Sequence, residues 1–462
     1  MSAPLRTTAL VGAIARHASP ILIAQLASMS TAVVDTAIAG HVGTLDLAAV
    51  GIGGGVYISV ALAFAGIVQG VTPVAAQHYG AKRLHALPGC FQQSIWLALL
   101  LGALGVVALA FPGWLLHLTE MSPAVEARTR SYLSVLAWAV PGMLIYRACG
   151  GMLNALGKPR MLMFFGFGTA LLHLALAPSL AFGWLGLPPL GVLGCALSML
   201  IDSLLVAVLS LWYLARSPAS RTYHLLQQWQ GPQWRGLGEL LRVGIPIGMS
   251  TFIEITSFAL IALAVSPLGP IQVAGHRIAG NFAGVCYMLP LSISIATLSL
   301  VGQAAGAADV RRVRKTVRAG LILGIAASVA VGVLLWSFDG PLVRAYTPDA
   351  AVQAAALGLI GLIASYQLFD AVQTVGAQAL RGLKISTQPM FIHMFCFWGI
   401  GLAGGWWLCF RGVAALQVPA LGLPGFWWSA TLATVAASVL FGALLRHALR
   451  RLDTLLRPAV GD

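Results

Sequence analysis

Charge is what this sequence has least of. Only 9% of its 462 residues are Asp, Glu, Lys or Arg, 59% are hydrophobic, and the mean hydropathy is +0.88. Soluble domains average about 25% charged residues. A water-facing surface cannot be built from so few charges, so lipid must cover most of the chain. The motifs of catalysis are missing too. There is no GxxxxGK[ST] loop for nucleotide hydrolysis, and no HExxH, GxSxG or paired-His motif. An enzyme is therefore not expected. The cysteines at 90, 149, 195, 286, 396 and 409 all fall in or beside apolar runs, and none forms a CxxC pair. They read as small core residues, with neither a disulfide framework nor a zinc site. No cofactor is expected.

What charge there is has a sign, a net +14. Basic residues cluster in short segments between apolar runs, the pattern of topology signals, and no basic aromatic stripe accompanies them. Nucleic acid is not an expected partner. The first twenty residues only weakly mimic a signal peptide, because Arg16 interrupts a short apolar stretch and a full span follows at once. A short cytoplasmic amphipathic segment is the expectation there.

A spanning helix needs about 20 mostly apolar residues. That rule yields about twelve spans, at 20–40, 48–75, 91–115, 130–153, 161–184, 190–214, 243–265, 273–300, 317–337, 352–379, 388–410 and 425–447. One set of loops is basic: Lys82 and Arg83; Lys158 and Arg160; Arg216, Arg221 and Arg235; Arg311, Arg312, Arg314, Lys315 and Arg318; Arg381 and Lys384. The alternate loops (41–46, 185–189, 266–270) are poorer, and Arg6, Arg16, Arg446, Arg450, Arg451 and Arg457 put both termini on the basic side. Both termini are thus expected in the cytoplasm.

The longest polar stretch lies near the middle, and the organisation it predicts is a six-span half at 1–215, a cytoplasmic linker at 216–240 and a second six-span half at 241–462. The halves look alike. AAQHYGA at 75–81 matches VGQAAGA at 301–307, pairing Gln77 with Gln303 and Gly80 with Gly306, and LGKP at 156–159 lies beside RGLK at 381–384. Six spans per half make the repeats parallel. Transporters built this way bind substrate and ion near mid-membrane at the repeat interface.

Thirteen acids occur in all. Asp35, Asp202, Glu254 and Asp370 are those well inside predicted spans. A carboxylate at mid-bilayer costs about 2.5–3.5 kcal/mol on insertion scales, so its presence there points to function. At the repeat offset Glu254 corresponds to position 28, two helical turns before Asp35, so the halves aim carboxylates from equivalent faces. Tyr366 lies one turn before Asp370, and with Glu254 these side chains offer oxygens to Na⁺ or to a substrate ammonium. Asp202 has no counterpart in the other half. Arg147, in the fourth span, reads as a partner for an acid. The doublets Trp406–Trp407 and Trp427–Trp428 read as interfacial anchors.

At these residues the chain resembles the multidrug and toxic compound extrusion (MATE) family, in its NorM-like bacterial branch. The stretches that carry the resemblance are VDTAIAG at 34–40, PVAAQHYGA at 73–81, VPGMLIYRA at 140–148 with LGKPR at 156–160, FIEITSFALIALAVSPLG at 252–269, VAGHRIAGNF at 273–282 and FDAVQTVGAQALRGLK at 369–384. The resemblance implies an all-α polytopic membrane protein, with twelve transmembrane helices in two pseudo-symmetric six-helix bundles set in a V. It implies a monomeric antiporter of the bacterial cytoplasmic membrane that expels amphipathic, mostly cationic compounds in exchange for Na⁺ or H⁺. By matching motif, Glu254 and Asp370 are the acids of the C-terminal lobe, with Tyr366 in the cation site, and Asp35 is the acid of the N-terminal lobe. His276, Asn281, Arg147 and Asp202 are secondary candidates. Two departures stand out. His173 replaces an Asn of the family's fifth span, and Arg277 stands where the family places Gln, where it is expected to snorkel. Other readings are a lipid-linked precursor flippase, against which twelve spans and acidic centres count, and a passive channel.

Overall fold

The long runs of Leu, Ala, Val and Ile form helices, and the computed structural model describes residues 7–113, 122–186, 188–217, 222–412, 417 and 419–456. Arg6, Arg221 and Arg457 of the basic set lie outside the described residues, as do the last two residues of the expected third span. The first group of helices is α1 (Thr7–Val42), α2 (Thr44–Val68), α3 (Val71–Gly80), α4 (Ala86–Ala110), α5 (Pro123–Ala137), α6 (Ala139–Ala155), α7 (Arg160–Phe182) and α8 (Val192–Arg216). The second is α9 (Trp234–Ala264), α10 (Pro270–Gly306), α11 (Val310–Ser337), α12 (Asp339–Tyr346), α13 (Ala350–Gly382), α14 (Thr387–Phe410, with wider π-type turns over Met394–Gly404) and α15 (Leu423–Arg450). Among the described residues, eleven helices are long and apolar enough to cross a membrane, or twelve when the bent pair α5–α6 is one span. That bend of 41° has a local cause. Pro141 has no N–H to offer the carbonyl of residue 137, where α5 ends.

The chain forms two compact units, residues 19–252 and residues 1–18 with 253–462. Residues 7–20 are not a separate amphipathic segment. They are the first turns of α1, which runs unbroken through Pro20, and Leu10, Ile14 and Ala18 are buried against Ile293, Ala296 and Val375. Apolar contact on that face outweighs the hydrogen bond lost at the proline. Asp46, assigned by sequence to a polar loop, sits in the first turn of α2, buried and ion-paired with Arg128. An acid there also meets the positive end of the helix dipole.

In the 19–252 unit, α2 and the first half of α9 pack backbone against backbone. A Cβ on Gly66 would lie 2.7 Å from the Gly248 Cα, and one on Gly70 would lie 2.9 Å from the Gly244 Cα. The two Gly-x-x-x-Gly stretches, GIVQG and GIPIG, face each other, as small residues do where membrane helices approach closely. Beyond α8, residues 225–233 are tied onto α4. Gln92 donates to the carbonyls of Leu225 and Gln227 and accepts from the Gln230 amide, Gln93 makes the equivalent pair with Gly231 and Gln233, and Trp96 donates to Gln230.

The repeat is visible in how helices end. α3 and α10 close with the same bonds 226 positions apart (Lys82 to Tyr79 and Arg83 to His78; Ala308 to Ala305 and Asp309 to Ala304), and Lys82 and Ala308 are both left-handed at φ 58° and 53°. α6 and α13 do likewise, with Gly157 at φ 75° and Lys384 at φ 61°. A left-handed residue just past a helix turns amides back onto its orphaned carbonyls.

Candidate ion and substrate sites

In the unit of residues 1–18 and 253–462, α13 carries Tyr366, Asp370 and Gln373 at spacings of four and three, which stacks them on one helical face. All three are buried, Asp370 completely. Gln373 Nε2 donates to Asp370 Oδ1 at 2.9 Å and to Thr374 Oγ1 at 3.0 Å. Its oxygen is left to accept, 3.0 Å from Nε2 of His393 on α14. That places the His393 proton on Nε2. Asp370 Oδ2 and His393 Nδ1 are buried and have no hydrogen-bond partner.

Glu254 on α9 enters the same cluster. The Tyr287 hydroxyl of α10 donates to its carboxylate, and Asp370, Tyr366 and the guanidinium of Arg381 lie within electrostatic range. Arg381 thus departs from its expected place. It is a buried residue at the last turn of α13, eleven positions and three helical turns beyond Asp370 on the same face, and it serves as counter-charge to Glu254 rather than as a loop cation. Tyr366 stands edge-on to Phe258 and to Trp427, at 6.1 and 6.3 Å between ring centres. Trp427 is therefore not an interfacial anchor: it is 3% exposed and wedged between Tyr366 and His276, while its neighbour Trp428 is half exposed. Trp406 and Trp407 are exposed, with Arg411 stacked over both rings.

The secondary candidates scatter. His276 is buried on Trp427, and its Nδ1 has no hydrogen-bond partner. Asn281 and Arg277 are exposed. Arg147, in the other unit, meets the phenols of Tyr57 and Tyr146 rather than an acid, and its buried Nε is unpartnered.

The acids that Arg147 was read to partner are taken by His173. In the 19–252 unit, His173 of α7 lies between α1 and α8, with Nε2 3.0 Å from Asp35 Oδ1 and Nδ1 2.7 Å from Asp202 Oδ2. The ring is 1% exposed and both acids are buried. Asp202, doubtful by sequence, is therefore the second carboxylate of a cluster. The Cys195 thiol donates to Asp35, and Asp202 Oδ1 is left without a partner.

Sequence reasoning did not find Tyr287, Gln373 or His393, and treated His173 as a departure. The spacing of Gln373 from Asp370 was the one available signal, since residues three apart share a helix face. Among the described residues, no group of three or more His, Cys, Asp or Glu is placed to hold a metal ion. The oxygens around Asp370 come instead from two carboxylates and two phenols.

Comparison with known proteins agrees with this architecture. The MatE family model matches residues 20–179 and 246–407. The chain is 48% identical to a probable multidrug resistance protein NorM of Aromatoleum aromaticum over 451 residues, 98% of this chain and 97% of the relative. It is 30% identical to the multidrug resistance protein MdtK of Photorhabdus laumondii, over 95% of each chain. Among solved structures, a mutant of the Vibrio cholerae MATE transporter VcmN superposes with a TM-score of 0.87 at 18% identity, covering 97% of this chain and 99% of the other. With its multi-pass helical fold and a family match across both halves, this chain belongs to the MatE family.

Proposed function

We propose that the chain is a secondary active multidrug antiporter of a bacterial cytoplasmic membrane, expelling amphipathic, mostly cationic compounds in exchange for Na⁺ or H⁺. It works as a monomer with both termini in the cytoplasm. The names of the NorM and MdtK relatives support the class of activity. The observation that carries the exchange mechanism is the charge count around Asp370. Glu254 and Asp370 bring two negative charges and Arg381 one positive, and Asp370 Oδ2 is free of hydrogen bonds. One negative charge remains, in surroundings where an unbalanced charge is very costly. A single monovalent cation balances it, with Tyr366 and Tyr287 supplying further oxygens.

Na⁺, a proton and a substrate ammonium then compete for one place. Exchange follows when each occupant favours a different conformation, and the shift is limited by its differential affinity for the two. The test is ethidium transport in everted membrane vesicles, with Na⁺ and pH gradients imposed separately. Wild type is expected to transport under at least one gradient, and Glu254→Gln and Asp370→Asn to lose that transport. Wild-type rates in both variants would overturn the assignment.

A further inference from the structure

Both ring nitrogens of His173 meet carboxylates at hydrogen-bond distance, Nδ1 with Asp202 and Nε2 with Asp35. Each of these bonds contains a proton. A neutral imidazole brings one N–H and an ionised carboxylate none, so the three groups hold one proton more than that. Imidazole is the stronger base, which puts this proton on the ring. We propose that Asp35, His173 and Asp202 form a proton-binding site in the 19–252 unit, an imidazolium held between two carboxylates, with one exchangeable proton and a net charge of −1.

The neighbours fit such a site. Tyr132 of α5 and Cys195 of α8 face Asp35, and Tyr57 of α2 faces Tyr132. None of these is a cation, so the negative charge of the two acids is opposed by the ring alone. Asp202 Oδ1, buried and unpartnered, is the point at which a proton acceptor or a cation can reach the cluster. When the proton leaves to water, the cluster goes from −1 to −2, and one ring nitrogen turns a lone pair toward a carboxylate. That contact opens, separating α7 from α1 or from α8, and frees a carboxylate for a cation. Proton and cation exclude one another here because His173 can satisfy both acids only while it is protonated. The proton belongs to the cluster as a whole rather than to one residue. An Asn at position 173 has an amide nitrogen and an oxygen, and holds no such proton.

This inference adds a second ion-responsive site to the proposed antiporter, and its test reads proton occupancy rather than transport. The full chain is labelled with ring-¹⁵N histidine, purified and placed in lipid nanodiscs, and the His173 signal is identified by its loss in His173→Gln. At neutral pH, wild type is expected to show both His173 nitrogens protonated. In Asp202→Asn the new carboxamide donates to Nδ1 while Nε2–H serves Asp35, so one protonated nitrogen is expected. A single protonated nitrogen in wild type, or the same two-proton pattern in Asp202→Asn, overturns the proposal. Failure of ethidium transport in vesicles would overturn the antiport reading and leave this result standing.

Discussion

Gln373 holds Asp370 by one carboxylate oxygen, donating to Oδ1 at 2.9 Å, and leaves Oδ2 bare. The amide is itself fixed from the other side by His393, so the free oxygen is presented in one orientation. Gln373→Leu removes the donor while keeping the bulk. A hydrogen bond to a charged group is worth about 1.5–3 kcal/mol, so the apparent affinity for the coupling ion is expected to fall roughly 10- to 100-fold. The check is the ion dependence of ethidium transport, which should move while the amount of folded protein does not.

Arg381 sets the charge of the same site. With Arg381→Gln the two carboxylates stand unopposed, and a second monovalent cation is needed to balance them. The ion dependence of transport is expected to steepen, its Hill coefficient rising from about one toward two. The double variant Glu254→Gln with Arg381→Gln should return it to about one, because residues in one charge network do not act additively. Unchanged steepness in Arg381→Gln would remove Arg381 from the charge count.

The glycines of α2 and α9 bear on stability rather than on ions. A Cβ on Gly248 would fall 2.6 Å from the carbonyl oxygen of Ala63, and one on Gly238, on the same helix, meets nothing within 4 Å. Overpacking costs about 1–3 kcal/mol even where side chains can shift, and here the obstacle is backbone. Gly248→Val is expected to lower the melting temperature of the purified protein sharply. Gly238→Ala should raise it slightly, by about 0.5–1 kcal/mol of helix stability.

The segment after α8 is expected to come loose with Gln92→Ala, which breaks three bonds to the backbone of Leu225, Gln227 and Gln230. At about 0.5–1.5 kcal/mol each, their loss should speed proteolysis within 222–233 at least tenfold in everted vesicles. Leu97→Ile, inside the same helix, should not change it.

Much of this molecule is readable in its sequence, because lipid imposes simple rules. Apolar runs gave the spans, and Gln77 with Gln303 gave a register that the helix ends repeat. An acid inside a span is rare enough to mark Asp35, Glu254 and Asp370 without a structure. What sits beside those acids is another matter. Arg381 looks like a loop charge because it ends an apolar run, and only the fold turns its guanidinium inward toward Glu254. Trp427 and Trp428 are adjacent, yet a helix turns about 100° per residue, so one is buried and the other meets lipid. His173 and Asp202 are on different helices, and no spacing rule joins them to Asp35. Ionisable residues were legible singly, and their partners were not, because partnership depends on packing between helices distant in sequence.

The central claim is that a cation and a coupling ion exchange for one buried negative charge. It is tested most directly in reconstituted proteoliposomes that begin without any ion gradient, where an imposed gradient of ethidium alone should drive Na⁺ or H⁺ in the opposite direction. Wild type is expected to show that counter-movement, and Asp370→Asn to show none. Ethidium crossing with no ion movement in wild type, or equal counter-movement in Asp370→Asn, would contradict it.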